Sequence, residues 1–496
     1  MSLSGGAFPA SIVPMPKKQV VQDNFIDFHD TNFSTWTQQY LPELYEQEVE
    51  IYGNRTLAGF LRMVGAEMPM TSDQVIWTEQ NRLHVAYNNC AVAQPGGVAF
   101  PKFRVTITKG AGNPASSGIR VGNTILISDN ATGLVTLKAL VLSNTDNGTT
   151  DGYTLECHAY EGGALAAALT GGTCSLFVYG SEFPKGSDGM KQAITPVPTT
   201  HSNRPIIMKD NFEISGSDTA QIGWIEVATE AGTSGYLWYL KAESETRLRF
   251  DDYLEMSMVE GELNANAANF PTGSAQFTPG GNAQAIKGTQ GLFAAIEARG
   301  NIYSGFAGAA APGSGALADF DAILKQLDKQ GAIEENMLFL SRATALDFDD
   351  MIGAMAGGGY ASTQAASYGL FDNEEDMALN FGFSGFRRGS YDFYKTDWKY
   401  LNDATTRGLD NEIDGVLIPA GTTTVYDQML GVNIRRPFLH VRYRASETED
   451  RRYKTWITGS VGGAYTSDLD TMRVNFLSER CLVTQAANNF VLFKGA

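Results

Sequence analysis

Ser234–Glu260 reads SGYLWYLKAESETRLRFDDYLEMSMVE, and the rest of the chain is organised around it. The stretch predicts one heavily charged helix of about 27 residues, roughly 40 Å long at 1.5 Å per residue. An average globular helix has about three turns. Thr233 or Ser234 is placed to cap the first free N–H groups, and Gly261 stands where a left-handed C-terminal cap is expected. Glu243 and Arg247, Glu245 and Arg249, and Arg247 and Asp251 are each four apart, the spacing at which helix side chains pair. Leu237, Trp238, Leu240, Leu248, Phe250, Tyr253, Leu254 and Met258 cover more than one stripe, and charges interrupt every stripe. Such a helix packs on one side and meets water or a partner on the other. A plain surface helix and a scaffold for other elements both fit.

On the N-terminal side, residues 1 to about 40 mix Pro, Gly and polar residues without period, which predicts an extended arm. Pro42 suits a first helical position, with Leu44, Tyr45, Val49 and Tyr52 at helical spacing and Gly53 as a stop. From Val75 to Tyr87 the pattern alternates as a strand, and it does so again at Phe103, Val105 and Ile107. Short strands are expected at Thr124–Ser128, Leu134–Leu142, Tyr153–Tyr160 and Cys174–Tyr179, separated by turn clusters such as Asn144–Gly152. Together they predict a compact β unit over 101–183, a small barrel inserted into a longer hairpin. Residues 184–232 return as loop and strand, with Ile222–Val227 extended.

On the C-terminal side, Asn264–Gly291 reads as loop. Phe293–Ile296 opens a helix or a strand. Phe320, Ile323, Leu324 and Leu327 form a helical stripe ended by Gly331. Met337–Leu340 reads as a buried strand, and Ser341 caps a helix carrying Leu346, Phe348, Met351, Ile352 and Met355. Strands return at Tyr391 and Phe393, Val416–Ile418, Thr422–Tyr426, His440–Tyr443, Tyr453–Ile457, Val474–Leu477 and Phe490–Phe493. No internal repeat is visible.

Composition narrows the function classes. The 496 residues are 43% hydrophobic, enough for a buried core and two to four domains. A net charge of −18 makes the chain a poor general ligand for nucleic acid or an anionic membrane. Cys90, Cys157, Cys174 and Cys481 are widely spaced with no CxxC pair, which predicts free thiols in a reducing cytoplasm. Met1–Ser11 has no basic region leading into an apolar run, so no signal peptide is expected, and no stretch is long and apolar enough for a membrane span.

No motif carries chemistry. His29, His84, His158, His201 and His440 are far apart and no HExxH exists, so no metal site is assigned. Asp410–Gly415 imitates half a calcium loop, but Gly421 stands where a bidentate Glu is required. It is read as a turn before the strand Val416–Ile418. Gly313-Ser314-Gly315-Ala316-Leu317-Ala318 matches GxGxxA but follows a loop and not a strand. Asp251–Asp252, Asp349–Asp350 and Glu374–Glu375 are adjacent pairs that do not converge on a helix. No catalytic residue and no cofactor are expected. Arg435–Arg436 and Arg451-Arg452-Tyr453-Lys454 are local basic patches, read as solvated loops or as contacts for acidic patches on a neighbouring subunit or for nucleic acid.

The element order, with Val75-Ile76-Trp77-Thr78-Glu79-Gln80-Asn81-Arg82-Leu83-His84, the spine Tyr236–Glu260, and the tail from Trp456-Ile457-Thr458-Gly459 through Ala487-Asn488-Asn489-Phe490, resembles the major capsid proteins of tailed bacteriophages. In detail it is similar to those of crAss-like phages. The resemblance implies an α+β, Hong Kong 97-like fold with an N-terminal arm, an extended β-hairpin loop, a spine helix, an axial α/β domain and an inserted small β-barrel. Segments follow as arm and start of the peripheral domain (1–70), first limb of the hairpin loop (71–100), inserted barrel (101–183), hairpin return (184–232), spine (233–263), axial domain with loops (264–455) and closing peripheral strands (456–496). It implies hexamers and pentamers of an icosahedral head shell enclosing double-stranded DNA. The shell would be assembled in the bacterial host cytoplasm with portal, scaffold and auxiliary capsid proteins, and the packaged DNA held only weakly. Some members cross-link Lys to Asn between subunits, and this sequence singles out no such pair. Candidate intersubunit contacts are Trp77, Glu79, Arg82, Glu243, Arg247, Arg249, Asp251, Arg451 and Arg452. The rivals are a tail, baseplate or adhesin subunit, which does not need the spine helix, and a hydrolase with a β domain, which needs a converging polar constellation.

Overall fold

The computed structural model describes residues 59–61, 66–80, 84–96, 99–109, 117–147, 152–170, 173–191, 194, 197–220, 227–228, 234–235, 238–265, 286–304, 316–331, 333–348, 384–409, 412–427, 432–463 and 465–495. The arm, the helix at Pro42, Arg82, residues 222–226, the GxGxxA glycines, Asp410, and Met351, Ile352 and Met355 lie outside the described residues.

After β1 (Glu67–Met70), residues Ile76–Ser202 make a compact unit of their own. Its ribbon pairs β2 (Val75–Glu79) with β9 (Thr199–Asn203). Between them β3 (Ala86–Ala93), β4 (Lys102–Ile107), β5 (Asn123–Asp129), β6 (Thr136–Asp146), β7 (Tyr153–Ala159) and β8 (Cys174–Ser181) close a barrel in the order β3-β4-β7-β6-β5-β8. Alternation sends Val105, Ile107, Ile125, Ile127, Leu155 and Leu176 inward, where they are buried. Gly152 has φ +81°, and a Cβ there would lie 1.8 Å from the Ile107 carbonyl oxygen, so only glycine fits. The barrel begins earlier than the expected 101–183, because Ala86–Ala93 turns Tyr87, Cys90 and Val92 into the same core.

The remaining unit holds two large sheets and two two-stranded pairs, one at 227–235 and one at 422–437. Its elements are β10 (Ile206–Ser215), β11 (Val227–Ala228), β12 (Ser234–Gly235), the helix α1 (Trp238–Glu260), α2 (Leu292–Arg299), β13 (Asn301–Ser304), α3 (Ala316–Gln330), β14 (Glu335–Leu340), β15 (Ser384–Arg388), β16 (Tyr391–Asp397) and β17 (Ile413–Pro419). They continue with β18 (Thr422–Asp427), β19 (Val432–Pro437), β20 (Leu439–Arg444), β21 (Lys454–Gly459), β22 (Thr471–Thr484) and β23 (Val491–Lys494).

The five-stranded sheet runs β1-β20-β22-β10, with β21 also on β22. β22 is its organiser. One side of the strand pairs antiparallel with β10 from Thr471 to Arg480, and the other pairs with β21 and then β20. The six-stranded sheet runs β13-β23-β17-β14-β16-β15. Helices cover both of its faces, which explains its near-continuous apolar strands. Phe320, Ile323, Leu324 and Leu327 of α3 pack on Leu338, Leu340, Phe393, Leu417 and Phe493. On the other face Leu292, Phe293 and Ile296 of α2 join Phe339, Val416, Ile418 and Leu492. Gly331 ends α3 at φ +88°.

Three expectations are corrected. The long helix starts at Trp238 and not Ser234, because Ser234–Gly235 pairs with β11 instead of winding into the first turn. Gly261 is not a left-handed cap; it is absent from the positive-φ glycines. Close approach is the reason for this residue: a Cβ would lie 2.6 Å from the Ser257 oxygen and 2.8 Å from the Thr289 oxygen, while the Gly291 N–H donates to Gly261 O at 2.7 Å. The tail 456–496 does not close one region. β21 and β22 belong to the five-stranded sheet, but β23 lies inside the six-stranded one, where both faces of Val491-Leu492-Phe493 are buried. Conversely β20, expected within 264–455, lies in the five-stranded sheet.

Candidate functional site

The helix-bearing sheet is the most elaborated polar region among the described residues. One side of α1 is fixed by apolar contact: Phe250 stacks on Phe476 at 5.8 Å and meets the Tyr453 ring edge-on at 5.5 Å, with Leu254 and Val474 completing the cluster. Buried Thr246 donates its hydroxyl to the Ala242 carbonyl at 2.9 Å, satisfying itself within the helix. Further along, Met258 and Val259 enter the core beneath the six-stranded sheet. Hence a single helix contacts two apolar clusters.

Its charged residues are largely turned to the chain's own surface. Arg249 gives two hydrogen bonds to Asp210 Oδ2, at 3.2 and 3.0 Å. The Arg247 guanidinium lies 6.0 Å from the centre of the Tyr453 ring. Glu255 accepts the Gly59 and Leu61 N–H groups at 3.0 and 3.1 Å, which ties residues 59–61 to the helix. Glu260 accepts the Tyr400 hydroxyl at 2.6 Å and pairs with Arg407 at 3.6 Å.

At the far end of the sheet β22 carries Ser478-Glu479-Arg480 between the apolar residues Phe476-Leu477 and Cys481-Leu482-Val483. Neighbouring strand residues point to opposite faces, so the charges make two clamps. On the helix side, Arg480 donates to Ser478 Oγ at 2.9 Å and to the Arg452 carbonyl at 3.0 Å, and pairs with Glu67 at 3.4 Å. Arg452 pairs with the same Glu67. Burial pushes the Arg480 guanidinium down, while Glu67 and Glu255 act against that shift. On the opposite side Glu479 takes Arg451 at 2.6 Å and Arg444 at 3.3 Å, and Arg444 also holds Asp73. The hydrogen bond from Arg444 keeps the Asp73 carboxyl below its ordinary value. Together they bind β1, β20, the 450–453 turn and β22. The arrangement can hold strands in register; it brings together no nucleophile, base and oxyanion donors.

The residues expected at subunit contacts divide clearly. Arg247 and Asp251 lie at Tyr453, Arg452 joins the helix-side clamp through Glu67, and Arg451 joins the opposite clamp through Glu479. Arg451 and Arg452 lie in a turn and are held in ion pairs within the chain, Arg452 with its side chain still half exposed. Glu243 is half-buried. In the barrel-bearing unit Trp77 is 7% exposed and its indole N–H donates to Glu79 at 3.1 Å. Glu79 also lies 3.7 Å from His201 Nε2. Sequence reasoning missed Glu67, Asp210, Arg444, Glu479 and Arg480. The visible signal was the charged pair interrupting the apolar run of β22.

Among the described residues no cluster of three metal-ligating side chains occurs, and no helix is long and apolar enough to cross a membrane. All four cysteines are free and buried.

No family model matches the sequence, and no curated protein does. Among solved structures, the capsid structure of the cyanophage P-SCSP1u is similar at a TM-score of 0.37 and 10% identity, over 95% of this chain and 99% of that one. A structure from Mycobacterium phage Bobi has a TM-score of 0.36 at 7% identity, over 93% and 97%. The mature capsid of bacteriophage PhiM1 has 0.31 at 9%, over 64% and 78%. Likeness at these scores assigns neither fold family nor function, and the functional reading rests on the geometry above.

Proposed function

We propose that this chain is the major capsid protein of a tailed bacteriophage, a shell subunit of Hong Kong 97-like organisation. One observation carries the reading: a 23-residue helix lies along a five-stranded sheet and passes, through the close Gly261–Gly291 contact, into a helix-covered six-stranded sheet. On this reading the helix and five-stranded sheet are the peripheral domain and its spine. The six-stranded sheet is the axial domain, β2 and β9 belong to the extended loop, and the barrel is an insertion within it. The kinship with crAss-like phages rests on the sequence resemblance alone.

The polar architecture supports this reading. Its ion pairs join distant strands of one chain, as a subunit needs if it is to keep its shape under load from neighbours. A net charge of −18 disfavours a tight grip on packaged DNA, which must later leave. The partners proposed are further copies of the chain, in hexamers and pentamers, with portal, scaffold and auxiliary proteins; the place is the virion, after assembly in the bacterial cytoplasm. Expression alone or with a scaffold, followed by electron microscopy, tests the proposal. Closed shells or hexameric capsomers are expected. A monodisperse monomer persisting at high concentration overturns it.

A further inference from the structure

The barrel closes where its first strand meets its last, and that seam is its shortest. β3 and β8 share the partners Ala86–Phe177, Tyr87–Leu176 and Cys90–Cys174, whereas β5 and β8 are in register from Asn123 to Asp129. Cys90 faces Cys174 because of a bulge. Strict alternation from buried Tyr87 would point Cys90 outward. The extra residue at Asn88–Asn89, with Asn89 at φ 55°, re-aims it into the core. The hydroxyl of Ser175, opposite the bulge, holds the turn by donating to Asn88 Oδ1 at 3.0 Å. Directly opposed residues have Cβ atoms about 4.5–5.5 Å apart, and a disulfide needs about 3.5–4.5 Å. A small closing movement therefore suffices. Both thiols are buried, at 1% and 0% exposure, and each has only a carbonyl for its S–H: Asn88 O at 3.7 Å and Leu169 O at 3.4 Å.

We propose that Cys90 and Cys174 are a latent disulfide that locks the barrel seam when a disulfide-class oxidant such as oxidised glutathione is supplied. In the first step the Cys90 thiolate attacks one sulfur of the oxidant, whose S–S bond breaks and releases a glutathione thiolate. In the second, the Cys174 thiolate attacks the Cys90 sulfur of the mixed disulfide and expels the second glutathione. Two protein thiols are oxidised, one oxidant disulfide is reduced to two thiols, and the two protons pass to the departing thiolates. Desolvation raises both thiols, Cys90 to about 12, so the closed barrel oxidises slowly and the seam must first open. The lock is accordingly absent in a chain made under reducing conditions and set afterwards. The proposal does not depend on the shell reading.

The test uses the full chain. One sample is held in graded mixtures of oxidised and reduced glutathione with mild urea, and a second is refolded from full denaturation in the same mixtures. Free thiols are then alkylated and the chain is digested without reduction for mass spectrometry. The expected product is a peptide pair joined through Cys90 and Cys174, two hydrogens lighter than its parts. It should exceed every other cysteine pair by about tenfold. Oxidation should raise the melting midpoint, Cys90→Ser and Cys174→Ser should each abolish both effects, and Cys157→Ser should keep both. A refolded chain whose Cys90 and Cys174 are still alkylated under fully oxidised glutathione overturns the proposal. So does equal linkage of Cys90 to Cys157, to Cys481 or to another chain.

Discussion

Glu479 and Arg480 are adjacent in sequence yet serve opposite faces of one sheet, and each is the acceptor or donor for more than one partner. Removing Glu479 takes the carboxylate from Arg451 and leaves Arg444, both partly exposed, with Asp73 alone. Glu479→Ala should therefore cost about 2–3 kcal/mol, discounted from the fully buried case for solvent access; a denaturant midpoint that does not move would refute the clamp. A second test is one of pH. Burial, and then the charge of Asp347, hold Asp414 above the ordinary carboxylate value. The native state thus keeps a proton that the unfolded chain has released. That favours the native state below the usual pKa of 3.8, and the advantage is lost as pH rises through the elevated native value. Asp414→Asn removes this loss. The variant should melt above the parent at neutral pH and match it below about pH 4; a pH-independent difference would show that the carboxyl is not the cause.

At the scale of elements, α1 gives the clearest separation of folding from assembly. Arg249 and Arg247 are engaged by Asp210 and Tyr453 of the same chain, so reversing their charge should damage the monomer itself. Leu248 and Tyr253 are 39% and 45% exposed on the solvent side. Leu248→Ser with Tyr253→Ser should leave the melting midpoint within a degree or two and, on the proposed shell reading, reduce capsomer formation, read by light scattering and microscopy; full assembly by that variant counts against a contact on this face. Gly261→Ala puts a methyl group against two carbonyl oxygens and should destabilise by about 1–3 kcal/mol, seen as a lower midpoint. Local pattern made many of these elements readable. The apolar stripe of α3, the alternation of β4–β8 and the Gly331 stop all depend on near neighbours in sequence. The start of α1 was misread because Ser234–Gly235 is taken by a strand partner that no helical period reveals. The clamps were unreadable for the same reason, since Arg480 finds Glu67 across 413 residues.

Considered whole, the chain divides into a barrel-bearing unit and a two-sheet unit whose cores do not depend on shared strands. Ile76–Ser202 contains its own buried interior. Expressed alone it should give a cooperative thermal transition and dispersed amide resonances; a non-cooperative melt would show that its core needs the rest of the chain. The Cys90–Cys174 seam lies wholly inside this unit, and Asn89 shows why it escaped a reading by alternation, since one inserted residue reverses inside and outside. The two-sheet unit behaves differently because of β22 and β23. The organising strand of one sheet and an interior strand of the other follow every other described strand in chain order. During synthesis the barrel is complete once Ser181 has emerged, while both large sheets wait for residues 471–494 and then finish together. Translation itself thereby acts as a timer: a chain stalled before residue 471 lacks the organising strand of one large sheet and an interior strand of the other at once.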